Sequence, residues 1–257
     1  MNPYTRVVIK VGSSVLTEKG EIAKERMVNL VSFIVEVRKK YEVIFVSSGA
    51  AAAGYTALKL DKREHISKKV LAAVGQPILM SSYKRKFDIY DTDIAQILLT
   101  EDDFDSRKST EIFSQIINTS LKEDIVPIVN ENDISSTPDQ IFGDNDQLAA
   151  RVTHHTNSDL LVILSDIDGY YDSNPDENPD AQMLKEVYNI SEDELTAVYR
   201  PHNEFTSGGL FTKLVAAEFL INKKREMFLC SGFDLSTAYD FLMDGKHTKG
   251  TLFRAKN

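Results

Sequence analysis

The sequence predicts a three-layer α/β fold, an αβα sandwich on a central, mostly parallel sheet. Three observations carry this. Short apolar runs of strand length recur along the 257 residues, segments with helical apolar spacing separate them, and glycine or Asn/Asp clusters stand where the runs end. In an open α/β sheet the carboxyl ends of the strands border the crevice that holds ligands, so these clusters are also candidate site residues.

Taken in order, Arg6 to Val11 (RVVIKV) reads as the first strand and Gly12-Ser13-Ser14 as a tight turn. Met27, Leu30, Val31, Ile34 and Val35 follow at helical spacing, and Val43 to Val46 is a second strand. This βαβ unit implies a parallel pair with a right-handed crossover. Ser47-Ser48-Gly49 ends the second strand, and Ala50 to Ala53 with Gly54 opens a closely packed helix. A longer helical region through Ile66, Val70, Leu71 and Val74 meets Gly75-Gln76-Pro77, where a kink or break is expected. Ile94 to Leu99 is a third strand, and Ile112, Phe113, Ile116, Ile117 and Leu121 mark a helix.

Ile125, Val126, Ile128 and Val129 form a fourth strand, apolar enough to be buried on both faces, that stops at Asn130-Glu131-Asn132-Asp133. A second cluster, Gly143-Asp144-Asn145-Asp146, runs into Leu148, Ala149, Ala150 and Val152 and reads as a capped helix start. Leu160 to Leu164 is a central strand ending at Ser165-Asp166, and the polar stretch Asp168 to Ala181 is an ordered surface loop over a site. Ser191-Glu192-Asp193-Glu194 is a capping box. Thr206 to Lys213 leads into a helix carrying Leu214, Ala217, Glu218 and Ile221. Met227 to Leu229, a short helix near Tyr239 to Met243, and Thr251 to Phe253 close the chain. With no fixed-period repeat and no linker, one domain over 1–257 is expected.

Composition narrows the function classes. Apolar residues make up 42% and charged residues 27%, as in an ordinary globular protein, while 39 acidic against 30 basic residues give a net charge of −9. That balance argues against a nucleic-acid or anionic-membrane surface. Cys230 is the single cysteine, which suits a reducing compartment, and Lys10 interrupts the one N-terminal apolar segment, so a cytoplasmic address is expected.

The candidate chemistry lies in the clusters and in two lysines. Free amides at a helix start favour an anion, and a carboxylate there can hold a cation; equally, Asn and Asp form loops and caps. Gly12, Gly49 and Gly208-Gly209 could bring backbone amides close to a phosphate or could be plain turns. Neither G-x-x-x-x-G-K-[ST] nor G-x-G-x-x-G is present. Lys10 stands inside an apolar strand, either turned to water on an edge strand or buried with a partner. Lys213 opens a helix, the unfavourable end for a cation, so it is either solvated or compensated by an anion. His154-His155 lacks metal-ligand spacing and reads as surface helix residues.

Taken together, VVIKVGSSVLT, VSSGAAAAG, VLAAVGQ, NEND, GDND, LSDIDGYYDSNP and SGGLFTK make the whole chain resemble the glutamate 5-kinase family of the amino acid kinase superfamily. The resemblance implies the amino acid kinase fold and ATP- and Mg²⁺-dependent phosphorylation of the glutamate side-chain carboxylate, the first step of proline synthesis. It implies that Lys10 and Lys213 neutralise the transferring phosphoryl group and that Asp146 holds both. Ser48, Gly49, Asn130, Asp133 and Asn145 match glutamate-binding positions. Lys10, Gly12, Ser165, Asp166, Ser207, Gly208, Gly209, Leu210, Phe211, Thr212 and Lys213 match nucleotide-binding ones, with no direct protein ligand assigned to the metal. It further implies a substrate-binding half over about 1–155, a nucleotide-binding half over about 156–257, a homo-oligomer (dimer or tetramer) and proline as a feedback inhibitor. Many members carry a C-terminal PUA domain, whereas this chain stops soon after Thr251 to Arg254, so a form without it is expected. Phe211 replaces a small residue usual in the family and is expected to alter only the adenine side. The alternatives are a superfamily kinase for acetylglutamate, aspartate or a nucleoside monophosphate, or a non-catalytic amino-acid sensor.

Overall fold

Six apolar runs too short for helices are strands β1 (Arg6–Val11), β4 (Glu42–Ser47), β5 (Ile94–Leu99), β6 (Val126–Glu131), β7 (Leu160–Ser165) and β9 (Glu226–Ser231). They form the parallel body of an eight-stranded sheet, β5-β6-β4-β1-β7-β9-β10-β8, in which β8 is Glu186–Val187 and β10, Thr251–Phe253, runs antiparallel to β9. The computed structural model describes residues 4–19, 21–60, 65–135, 145–175, 177–198 and 209–256.

Side-chain alternation along β1 sorts its residues between two helical layers. Val7, Ile9 and Val11 join a core with the helices α2 (Lys24–Arg38), α3 (Ala50–Leu58) and α4 (His65–Phe87). Val8 faces the opposite core, built with α6 (Arg107–Lys122), α7 (Asn145–His155) and α9 (Leu210–Asn222). Lys10, two residues on from Val8, therefore lies on the α7 and α9 side. The expected three layers are present. Shorter pieces complete the chain: α1 (Ser13–Leu16), the hairpin β2 (Thr17–Glu18) and β3 (Glu21–Ile22), α5 (Asp102–Asp105), α8 (Glu192–Val198) and α10 (Ser236–Tyr239). Among the described residues no helix is long and apolar enough to cross a membrane.

Several expectations change. Gly12-Ser13-Ser14 is not a free tight turn but the entry to the one-turn helix α1. Gly75-Gln76-Pro77 does not break its helix: α4 runs continuously over 23 residues with Pro77 inside. The amide that proline lacks would have bonded to Ala73, and both residues are exposed, so water can take the freed carbonyl. Gly75 has a packing role, since a β-carbon there would lie 1.8 Å from Ala50 O and one on Gly54 would lie 1.9 Å from Leu71 O. Only two glycines let α3 and α4 approach this closely. The capping box forms as expected: Ser191 N–H donates to Glu194 Oε2 at 2.7 Å and Glu194 N–H to Ser191 Oγ at 3.2 Å. His154 and His155 are half-buried rather than fully at the surface, with the His155 ring packed on Phe104 and Phe113.

Candidate active site

The connection from β1 leads to β4 on one side, while β7 leads to β9 on the other, so strand order reverses between β1 and β7. The carboxyl ends of such neighbours open a crevice. Gly12 follows β1 and Ser165-Asp166 closes β7, which places both at this point.

Three side chains distant in sequence meet there. Lys10 is buried in β1, a central strand, which excludes the edge-strand reading, and its Nζ lies 2.6 Å from Asp146 Oδ1. Lys213, in the first turn of α9, lies 3.2 Å from Asp146 Oδ2, with side-chain exposures of 4% for Lys213 and 0% for Asp146. The Thr212 hydroxyl lies 3.0 Å from the same Oδ2. Asp146 stands in the first turn of α7, where the helix dipole favours a carboxylate; Lys213 occupies the unfavourable end of α9, and this carboxylate is the anion it requires. Within the trio two ammonium groups share one carboxylate, so it attracts a further anion, and burial strengthens that attraction. Gly12 has an ordinary φ of −74°, so its backbone does not call for glycine. A β-carbon there would lie 3.9 Å from Lys10 Nζ, so glycine leaves room beside the ammonium.

Next to the trio lies a neutral cluster. Asn145, which precedes Asp146, directs the two protons of Nδ2, one of them shared, to Asn130 Oδ1 at 2.7 Å, Ser48 Oγ at 3.0 Å and Ser47 O at 3.2 Å. The start of α7 thus serves both groups. Gly49, at φ +104°, turns the chain from β4 into α3 in a conformation open to glycine. Burial raises the Asp133 carboxyl above its ordinary value, and Lys68 and Lys69 draw it back. On the other side, Ser165 is buried and donates to Asp166 Oδ1 at 2.9 Å. Gly209 caps the start of α9 without a side-chain hydrogen bond, and Leu210, Phe211 and Thr212 form its half-buried first turn. Gly143, Asp144, Ser207 and Gly208 lie outside the described residues.

The sequence missed Gln76, Ser47 and Tyr83. Gln76 Oε1 accepts from Asn130 Nδ2 at 2.9 Å, and Tyr83 Oη pairs with Ser47 Oγ at 2.7 Å. Gln76 and Tyr83 are seven residues apart, on one face of α4, a signal that was present but was hidden by reading Gly75-Gln76-Pro77 as punctuation.

The model of the amino acid kinase family matches residues 5–231. The chain is 48% identical over 253 residues to the glutamate 5-kinase of Wolinella succinogenes, covering 96% of this chain and 97% of that one. It is 45% identical to the glutamate 5-kinases of Leishmania donovani (98% and 95% covered) and Helicobacter hepaticus (96% and 94% covered). Among solved structures, carbamate kinase from Giardia lamblia bound to AMP-PNP superposes with a TM-score of 0.68 at 18% identity, covering 100% of both chains. Isopentenyl phosphate kinase of T. acidophilum gives 0.65 at 16% identity, covering 97% of this chain and 100% of that one; at such identities the likeness concerns the fold alone. The chain belongs to the amino acid kinase family, within its glutamate 5-kinases.

Proposed function

We propose that this protein transfers the γ-phosphoryl group of ATP to the side-chain carboxylate of L-glutamate, giving γ-glutamyl phosphate and ADP. The observation that carries the proposal is the convergence of Lys10 and Lys213 on Asp146 between the ends of β1 and β7. A carboxylate oxygen attacks the γ-phosphorus as the bond to the β,γ-bridging oxygen breaks, and the electron pair leaves with ADP. The acceptor is already ionised, so no base is needed, and the protein's work is positioning and charge stabilisation. Lys10 and Lys213 hold the oxygens of the moving group, and Asp146 fixes the lysines.

Asn145 and Asp133 accept from the substrate ammonium, the Ser48 hydroxyl donates to a carboxylate, and Gly49 and Asn130 shape that wall. Gly12, Ser165, Asp166 and the segment Ser207 to Thr212 receive the nucleotide, which divides the chain into a substrate half over about 1–155 and a nucleotide half over about 156–257. Mg²⁺ would enter with the triphosphate. There it supplies further neutralisation of phosphate charge. A cytoplasmic homo-oligomer, dimer or tetramer, inhibited by proline, completes the proposal on the strength of the family resemblance.

The test is glutamate-dependent ADP release with ATP and Mg²⁺, with hydroxylamine trapping the acyl phosphate. Equal turnover of acetylglutamate, aspartate or a nucleoside monophosphate, or glutamate binding without ADP, would overturn the proposal.

A further inference from the structure

The hydrogen bonds around Asn145 have a direction, and two backbone groups fix it. Glu131 N–H can only donate, and it donates to Asn130 Oδ1 at 2.9 Å. Ser47 O can only accept, and it accepts from Asn145 Nδ2 at 3.2 Å. Asn130 Oδ1 and Asn145 Nδ2 therefore face each other, at 2.7 Å, as acceptor and donor. Asn130 Nδ2 is left to donate, and its partner is Gln76 Oε1 at 2.9 Å. The three amides form a relay with one polarity. At its inner end Asn145 Oδ1 receives no hydrogen bond from the described residues. Ser48 Oγ already accepts from Asn145, so its proton is directed elsewhere.

Gln76 reaches the relay because α4 is held against α3 by the Gly54 and Gly75 contact. Seven residues further on, Tyr83 supports the same wall. Ser47 Oγ uses its single proton on Ser48 O at 3.0 Å, so in the 2.7 Å pair with Tyr83 the tyrosine is the donor. Leu79, between them on this face, is fully buried. Gln76 is half-buried and Asn130 is 4% exposed, so the inner partner has little access to water if the outer one is lost.

We propose that Gln76 is a positioning residue for the amino-acid substrate: through Asn130 it holds the Asn145 amide with Oδ1 left for an ammonium group and Ser48 left as a donor to a carboxylate. The site is thereby set for a substrate with a free amino group, since an acceptor at Asn145 gives an N-acylated one no charged partner. The inference rests on the glutamate reading above and adds a residue that acts without touching the substrate.

The test is steady-state kinetics on the full chain in a double-mutant cycle. Gln76→Leu leaves Asn130 Nδ2 without its acceptor and is expected to raise KM for glutamate about tenfold, the scale of one orphaned buried donor, with kcat and KM for ATP little changed. In an Asn130→Ala background the same substitution is expected to add almost nothing, because its route is already cut. An unchanged KM for glutamate, an equal rise in both backgrounds, or a matching loss in kcat and ATP affinity would overturn the proposal. If Gln76→Leu is insoluble, Gln76→Ala goes through the same cycle, and insolubility of both would show a structural role and also overturn it. Wild-type protein inactive on glutamate would bring down the glutamate reading itself; active wild type with an indifferent Gln76→Leu brings down only the relay.

Discussion

Arg6 and Lys10 lie four residues apart on the same face of β1, one at each end of the strand, and they do opposite things. Arg6 is at the amino end, where its guanidinium meets Glu42 at 2.7 Å, Asn118 at 2.8 Å and the carbonyl of Thr156 at 2.5 Å, and its ion-pair partner Glu42 is 43% exposed. Lys10, at the carboxyl end, is 1% exposed and shares a carboxylate with a second lysine. An exposed ion pair contributes little, and a buried one is often no better than apolar packing of the same shape. Arg6 is readily explained as a fastener between chain segments. The cost of burying three charges at the other end makes sense when they meet a ligand.

The largest expected effect separates the shared carboxylate of the buried trio from its two lysines. Asp146→Asn leaves two ammonium groups without their shared carboxylate and is expected to abolish activity and to lower stability by about 3 kcal/mol or more, read by denaturant unfolding. Lys10→Ala or Lys213→Ala keeps one cation on the aspartate, so most of the effect falls on turnover, a loss of roughly 10²–10³. Near-normal turnover in both lysine variants would make the group structural, like its counterpart at the amino end. Next in size is the pH dependence of glutamate binding. Asp133 must be ionised to hold an ammonium, and burial raises its pKa, so KM for glutamate should rise as pH falls through a range above that of an ordinary aspartate. Asp133→Asn should flatten that limb; if it stays, another group is responsible.

Arg6→Ala sharpens the comparison from the other side, with a loss of about 1 kcal/mol and unchanged kinetics. The smallest effect concerns His154 and His155. Burial lowers both imidazole pKa values below 6.5, so the unfolded chain binds protons first. Their contribution to stability is complete above that pH and is lost as pH falls below it. Melting temperature against pH should show a shallower acid slope in His155→Gln.

Much of this arrangement was legible in the sequence, because burial leaves a compositional trace. Strands covered on both faces are apolar runs, so β4, β6 and β7 were visible, and a lysine within such a run was conspicuous. The anion required by Lys213 followed from helix polarity, and Asp146 supplies it. Which face of β1 carries Lys10, and which strands flank it, depends on strand order, which no local pattern encodes. The continuity of α4 through Pro77 was hidden too, since the solvent that takes the freed carbonyl is a tertiary fact. For Gln76 the spacing to Tyr83 marks a shared helix face, but that this face meets the end of β6 is again a tertiary fact. The two-residue strands β2, β3 and β8 have no periodicity to read.

The contact of Gly54 with α4, and of Gly75 with α3, has a consequence for how such proteins can change. Neither glycine can acquire a side chain unless the opposite helix moves away, and that retreat would draw Gln76 from the end of β6. Mutational drift at the amino-acid pocket must therefore treat the two helices as one inherited block. A chimaera that exchanges one helix without its mate would be mismatched at the seam.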